Sequence, residues 1–323
     1  MRPALPEAAP RSAVVIDAAE TRDCLRTTVG RTGLGDGALP GPVEEPALLA
    51  ELAQVPPDVR RTAQAAGLEP LLAALLRAKA TGQDPRSIDQ VAMRLQVVLR
   101  ISSLEIELAA LLFEADCTGD QMEAALTELD RQAGKQELAL TIASIAVGAL
   151  AGLGAGLWDV QGGDSKGPAV VGIAGGVATA ALGGAAFIPR RGRVVYAHGR
   201  NLFGPVHAGQ DPDRLYPTFV FRMLMSAPAP GQPTPRDELL GEWQRIVDAA
   251  IPAKRRALAR EILQGAGGVY DEALIDVRER MYDALESQLN AFDRDLEALY
   301  RFFGRVLDDP TLAGAPGPLP ATP

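Results

Sequence analysis

Two long apolar stretches dominate the pattern of hydrophobic and polar positions along this chain. Residues 138–158 and 168–188 each run for 21 positions without Asp, Glu, Lys or Arg, and nine residues separate them. A helix of that length covers roughly 31 Å, which matches a bilayer hydrocarbon core of about 30 Å. Because backbone polar groups in hydrocarbon need internal partners, both stretches are predicted to be helices. The pattern therefore predicts a two-span transmembrane helical hairpin.

The ends of these stretches carry residues that membrane–water interfaces favour. Trp158 closes the first stretch, and Arg190, Arg191 and Arg193 follow the second. Interfacial aromatic side chains and flanking arginines are typical of transmembrane helices, so these four residues are predicted to lie at the membrane interface. The connector, 159–167, is polar and rich in glycine, and it is too short to form a domain.

Small residues recur at every fourth position in both predicted spans. The rows are Ser144, Gly148, Gly152 and Gly156 in the first span, and Gly172, Gly176, Ala180 and Gly184 in the second. Such small-xxx-small rows, or glycine zippers, let two helix backbones approach closely. Two uses remain open: the rows close the hairpin on itself, or one of them binds a second copy or another membrane protein.

A rival hypothesis keeps the hairpin out of the bilayer until it is needed. Amphipathic helices are predicted on both sides of the apolar stretches, and they would suit a soluble jacket around a conditional pore-forming hairpin. Hydrophobicity is moderate, with eight Leu, Ile or Val residues in the first stretch and seven, counting Phe, in the second. Because marginal spans insert best as a close-packed pair, we favour a constitutive membrane hairpin.

The rest of the chain divides by composition and periodicity. The predicted segments are a disordered Pro/Gly-rich segment (1–45), a helical region leading into the membrane (46–137), the hairpin (138–188), an irregular juxtamembrane segment (189–233), a helical C-terminal region (234–309) and a disordered tail (310–323). The predicted fold class is all-α, a transmembrane hairpin flanked by amphipathic, coiled-coil-like helical regions.

Helical periodicity is clearest on either side of the hairpin. Before it, one set of apolar positions is followed by a second set in a shifted register: Ile88, Val91, Leu95 and Val98, then Ile101, Leu104, Leu108, Leu111 and Ala115. Two alternatives are open at Gly119, which has Thr118 and Gln121 in capping-box positions: the helix breaks there, or it continues unbroken into the first apolar stretch as a stalk on the membrane. A short helix is predicted near 219–225, and Thr234 followed by Pro235 predicts a helix start. The last helix, over about 269–308, has an apolar side formed by Leu274, Val277, Met281, Leu285, Phe292, Leu299 and Val306.

Composition restricts the class of partner. The formal net charge of −9 argues against nucleic acid, which binds basic surfaces. The predicted partners are the lipid bilayer and other membrane proteins or further copies of the chain. Two cysteines, Cys24 and Cys117, do not make a disulfide framework. Both precede the first span, so they share one compartment; they can pair if it is oxidising, and we favour two free thiols.

The sequence offers no convincing active site. His198 and His207 lie near Asp211 and Asp213, but their spacing fits no standard metal-ligand pattern. Phosphate-loop, dinucleotide-binding and serine-hydrolase motifs are missing from the sequence. Neither span contains an ionisable side chain, which argues against a transporter or proton relay. The chain is therefore predicted to be non-enzymatic, without metal or cofactor.

Flanking charge predicts how the hairpin is oriented. Six basic residues flank its outer ends, namely Arg131, Lys135, Arg190, Arg191, Arg193 and Arg200, whereas the connector has only Lys166. The N-terminus has no apolar segment typical of a secretory signal, so two alternatives are open: the chain is inserted by its internal hairpin, or a signal lies upstream of Met1. By the positive-inside rule, both termini are predicted to be cytoplasmic in a bacterial inner membrane. The predicted role is to anchor or assemble a membrane complex.

Overall fold

The computed structural model describes residues 14–16, 46–160 and 193–307. Helices make up most of this part of the chain, so the prediction of a helical protein is confirmed. The helices are α1 (Pro46–Leu52), α2 (Pro57–Ala66), α3 (Glu69–Ala80), α4 (Ile88–Val160), α5 (Phe203–Ala208), α6 (Thr218–Met225), α7 (Pro235–Ala250), α8 (Arg256–Gln264) and α9 (Glu272–Leu307). The strands are β1 (Val14–Ile16), β2 (Val194–Ala197) and β3 (Gly267–Tyr270), and a 3-10 turn spans Ala253–Arg255.

Helix α4 is the longest described element, with 73 residues, and it contains the first apolar stretch. Within that stretch, side chains are described at Leu138, Ile142, Ala143, Ile145 and Ala146. Among the described residues, no helix combines the length and the apolar character needed to cross a membrane. The connector and the second stretch, 168–188, lie outside the described residues.

Of the two alternatives at Gly119, the break is wrong and the unbroken helix is confirmed, because α4 continues through this residue into the first apolar stretch. The Thr118 hydroxyl does not cap a new helix; it donates to the Glu114 carbonyl at 2.7 Å, one turn back within the same helix. Such an i−4 bond satisfies the hydroxyl without interrupting the backbone ladder. A glycine inside a helix costs roughly 1 kcal/mol relative to alanine, which the packing of the flanking turns offsets.

Helices α4 and α9 form an antiparallel pair at the centre of the molecule. Glu279 on α9 lies within electrostatic range of Glu123 on α4, whereas Asp293, further along α9, lies near Glu105. The apolar side predicted for α9 is confirmed, since Leu274, Val277, Met281, Leu285, Phe292 and Leu299 are buried and Val306 packs against them. The pair therefore forms the core from residues at three- and four-residue spacing on both helices.

The N-terminal helices and α7 complete the helical body. Arg61 on α2 binds Asp295 on α9 at 2.7 Å, and Lys79 on α3 donates to the Val306 carbonyl at 3.1 Å. The predicted start of α7 is confirmed, because Thr234 and Asp237 form a reciprocal capping box ahead of it and Pro235 occupies the first turn. Its Trp243 indole donates to the Met281 carbonyl at 2.9 Å, which fixes α7 against α9.

A three-stranded sheet is the main feature that the sequence did not predict. Strand β2 lies in the centre, parallel to β1 and antiparallel to β3. Thus segment 189–233, predicted to be irregular, contains β2, α5 and the correctly predicted α6, and segment 1–45 contributes β1. At Gly267 φ is +100°, and a Cβ would lie 2.2 Å from the Tyr196 carbonyl oxygen, so a side chain there would prevent β2 and β3 from pairing.

Cys117, on α4, is disulfide-bonded, and no free cysteine is found among the described residues. The prediction of free thiols is therefore wrong for Cys117. The sequence contains one other cysteine, Cys24, which lies outside the described residues. Pairing depends on how closely two Cα atoms approach in the fold, which separation along the sequence does not reveal.

Candidate functional surface on the long helix

Helix α4 exposes an unusual number of large hydrophobic side chains. Of the eleven that are exposed in the described part of the chain, nine belong to α4. Six of them lie in its first half and are called the apolar stripe here: Ile88, Val91, Leu95, Leu99, Ile106 and Phe113, with exposed fractions from 46% to 87%. Single exposed hydrophobic residues are ordinary, but a contiguous apolar surface is typical of an interaction site.

The spacing of the apolar stripe keeps its members on one side of α4. At about 100° per residue, the six positions fall within an arc of roughly 80°. The buried residues of the same segment, which face α9 and the N-terminal helices, centre on the opposite side: Val97, Ile101, Leu104, Leu108, Leu111 and Ala115. The first half of α4 is therefore apolar on two opposite faces, one in the core and one in solvent.

This arrangement explains the register shift in the sequence. The earlier periodic set, starting at Ile88, belongs to the exposed face, and the later set, starting at Ile101, belongs to the core face. The sequence pattern missed Leu99, Ile106 and Phe113 as members of the exposed face. The signal that was missed is a second set of apolar positions on the opposite side of the helix. An amphipathic helix that packs on one core has only one apolar side.

Further along α4, Leu138, Ile142 and Ile145 are also exposed, by 58% to 66%. They lie at the beginning of the first predicted span, three or four residues apart. The backbone of α4 thus runs without interruption from the apolar stripe into a second region of exposed apolar side chains.

The other predicted site residues divide between the described and the undescribed parts of the chain. Ser144, Gly148, Gly152, Gly156 and Trp158 lie on α4, but their side chains are outside the described residues. Gly172, Gly176, Ala180, Gly184, Arg190 and Arg191 lie outside the described residues altogether. Arg193 is described and is exposed immediately before β2. The small-residue rows and the interface residues therefore remain predictions.

A buried polar cluster joins the sheet to α9, and the sequence did not indicate it. The Arg278 side chain is fully buried, and its guanidinium carbon lies 4.9 Å from the centre of the Phe203 ring, 5.2 Å from Tyr282 and 5.8 Å from Tyr196. It donates to the Leu263 carbonyl at 3.3 Å and to the Tyr282 hydroxyl at 3.2 Å. Aromatic faces stabilise a desolvated cation, so this cluster accommodates a buried charge.

His198 belongs to the same cluster and is neutral. Its Nδ1–H donates to the Gly265 carbonyl and its Nε2 accepts from the Tyr270 hydroxyl, both at 2.7 Å. Burial, reinforced by the Arg278 charge, lowers the pKa of His198 to about 3 against the opposing effect of the Gly265 bond. Burial also raises the pKa of Tyr270 to about 12. Every polar atom of the imidazole is thus used inside the fold.

His198, His207, Asp211 and Asp213, which lie close together in the sequence, do not come together as a metal site in the structure. Asp211 accepts from the backbone N–H groups of Leu215 and Tyr216 at 2.8 Å, while His198 is occupied in the buried cluster. His207 lies on α5 with a weak contact to Gln264 at 3.4 Å. Among the described residues, no group of three or more His, Cys, Asp or Glu side chains is arranged to hold a metal ion.

An acidic face lies where α4 meets α9. Glu286 on α9 is partly buried beside Asp116 and Asp120 of α4 and Asp283 of its own helix, and burial followed by these charges raises its pKa to about 7. Along the same middle part of α9, an open groove of about 950 Å³ runs between α7 and α9 and mixes arginines with carboxylates along its walls. Both features are polar helix surfaces rather than enclosed sites.

No protein-family model matches the chain, and neither a curated protein nor a solved structure matches it. Among the described features, the apolar stripe exposes apolar area, whereas the Arg278 cluster is sealed inside the core.

Proposed function

We propose that the protein is a non-enzymatic bacterial integral membrane protein that anchors or assembles a complex at the membrane. Its anchor is a helical hairpin with spans at 138–158 and 168–188, packed through the small-residue rows. The helical body formed by α1–α3 and α5–α9 lies on one side of the membrane and offers the acidic face of α9 and the exposed face of α4 to partners.

The continuity of α4 is the observation that carries this proposal. Its 73 residues would be roughly 110 Å long, about twice the length of α9 with 36 residues. Glu279, about two turns into α9, lies near Glu123, and α9 runs from there back towards the N-terminus of α4, so the last turns of α4 extend past α9. The body is therefore joined to the first apolar stretch by helix and not by a flexible linker.

Exposure along this extension favours a constitutive anchor over a stored pore-forming hairpin. A jacket of amphipathic helices would bury the apolar stretch until release. Leu138, Ile142 and Ile145 are instead exposed by 61%, 58% and 66%. Such a surface is costly in water and favourable in lipid.

Alkaline carbonate extraction of membranes tests the proposal. The unmodified chain is expected to stay in the pellet. Leu150→Arg with Leu153→Arg is expected to shift it to the supernatant, because each arginine at a span centre costs about 2.5–3.5 kcal/mol against a marginal span. Leu258→Arg, at an exposed position on α8, is the matched control and should stay in the pellet. Release of the unmodified chain would refute the anchor.

A liposome assay decides the pore-forming alternative. If the hairpin is conditional, the purified chain stays soluble without detergent and releases dye trapped in liposomes. A constitutive anchor needs detergent and releases none.

Packing through the small-residue rows has its own test. Gly152→Leu with Gly176→Leu is expected to weaken oligomers trapped by cross-linking in mild detergent, since leucine keeps the helices apart. Oligomers that persist unchanged would mean that the rows do not drive assembly.

A further inference from the structure

We propose that the apolar stripe of α4 is the interface of a parallel homodimer, in which two copies pair along their long helices. The inference deepens the proposed function by naming a partner, a second copy of this chain. Only the parallel direction of the pair rests on the proposed function, because it assumes that both copies are anchored in one membrane. The stripe, its spacing and its exposure are properties of the described helix.

The stripe follows a repeat that suits pairing between identical helices. Its six positions fit a spacing of three, four and four residues, repeated over 88, 91, 95, 99, 102, 106, 110 and 113, in which Ser102 and Ala110 occupy the two positions outside the stripe. Ile88, Leu99 and Ala110 are thus eleven residues apart, as are Val91, Ser102 and Phe113. An eleven-residue repeat keeps its positions on one side of helices that pair with a slight right-handed supercoil. Two copies in register present this side to each other along its whole length.

The exposed area is close to what a dimer requires. Six half-exposed hydrophobic side chains present roughly 600 Å² per copy, so pairing would bury roughly 1,200 Å², the lower end for specific interfaces. Contacts between membrane-proximal parts of the two α4 helices would add to it. A monomer rarely leaves a contiguous apolar patch of that size in water.

The charges beside the stripe favour a protein occupant over a lipid surface. Glu105, Asp116 and Asp120 are exposed along α4. A helix that lies flat on a bilayer uses basic flanks to attract anionic headgroups, and acidic flanks are repelled by them. In the proposed anchor α4 stands away from the membrane, so its stripe faces other upright helices.

Membrane anchoring fixes the direction of the pair. Two copies that insert from the same side carry parallel α4 helices, with their stripes at the same height. Confinement to one membrane also raises the effective concentration of the second copy. An antiparallel pair would need the two hairpins to lie in different membranes.

Light scattering of the full chain in mild detergent tests the pairing. The unmodified chain is expected to have the mass of two protein chains, and Leu95→Glu with Ile106→Glu that of one. Both positions are more than half exposed, so the fold should persist, as circular dichroism will check. Met225→Glu with Leu258→Glu is the matched control on other helices and should stay dimeric. A monomeric unmodified chain, or a dimer that survives the stripe substitutions, overturns the proposal.

Cysteine cross-linking tests the direction. Ile88→Cys and Phe113→Cys are each expected to link to their own copies, and the unmodified chain gives the background. A mixture in which Ile88→Cys links only to Phe113→Cys would show an antiparallel pair and overturn the parallel one. The result is independent of carbonate extraction. A chain that dimerises but washes off the membrane refutes the anchor alone, and a retained monomer refutes the dimer alone.

Discussion

At the scale of single residues, His198 couples folding to pH. Its pKa is about 3 in the fold and near 6.5 in the unfolded chain, because burial disfavours the imidazolium. The unfolded chain therefore binds a proton between these values that the folded chain does not. Since a lowered pKa stabilises the fold only while the group stays neutral, this contribution is present above pH 6.5 and is lost as the pH falls towards 3.

His198→Gln is expected to destabilise the fold at pH 7.5, because the bonds to Gly265 and Tyr270 are weakened. At pH 5 the difference in unfolding free energy from the unmodified chain should shrink by about 1–2 kcal/mol, since glutamine does not titrate. Urea unfolding at the two pH values measures this change. A difference that is the same at both would contradict the lowered pKa.

Gly119 and Gly82 form a matched pair of glycines that differ in backbone conformation. A Cβ on either would meet nothing within 4 Å, but Gly82 has φ of +67° whereas Gly119 lies inside α4. Gly119→Ala is expected to stabilise the fold by about 0.5–1 kcal/mol and Gly82→Ala to destabilise it. Thermal unfolding of both variants measures the signs. Equal effects would mean that local conformation is not decisive at these sites.

At the scale of secondary-structure elements, the interface of α4 with α9 has the opposite pH dependence. The pKa of Glu286 is raised to about 7 by burial and by Asp116, Asp283 and Asp120, so the folded chain takes up a proton that the unfolded chain binds only near pH 4.5. The stabilising effect of that proton is complete below pH 4.5 and is lost as the pH rises through 7.

Glu286→Gln mimics the protonated carboxyl and is expected to raise the Tm by about 2 °C at pH 8, a small gain because the side chain is partly in solvent. At pH 4.5 the variant and the unmodified chain should unfold together. Differential scanning calorimetry at both pH values tests this. A loss of stability at pH 8 would mean that the charged carboxylate is favourable there.

Some of the secondary-structure elements could be predicted from the sequence and others could not. The start of α7 at Thr234 and the buried side of α9 followed from local signals, a capping box and a helical period. Strands β1 to β3 have three or four residues each, too few for a period of two to be recognised. The aromatic surroundings of Arg278 combine residues that are distant in the sequence, so no local pattern reveals them. The stripe lay between these cases, because its first members were visible as a periodicity, whereas Leu99, Ile106 and Phe113 were not recognised.

At the scale of the whole molecule, two observations favour opposite orientations of the proposed anchor. The basic residues that flank the hairpin favour a cytoplasmic body by the positive-inside rule. The disulfide at Cys117 favours an oxidising compartment, because cytosolic proteins keep their thiols reduced. In the proposed anchor Cys117 precedes the first span, so its compartment is that of the helical body. Its redox state in cells therefore reports the orientation directly.

A reductant titration tests whether this bond stabilises the body. Dithiothreitol is expected to lower the Tm of the unmodified chain, because a disulfide typically contributes about 2–4 kcal/mol to the free energy of unfolding by restricting the unfolded state. Cys117→Ser should unfold at the lower temperature with or without reductant. Maleimide labelling of intact cells, before and after reduction, then reports the compartment. Labelling only after reduction indicates an oxidising compartment and reverses the orientation predicted from charge, whereas labelling without reduction would show that the thiol is free in the cell.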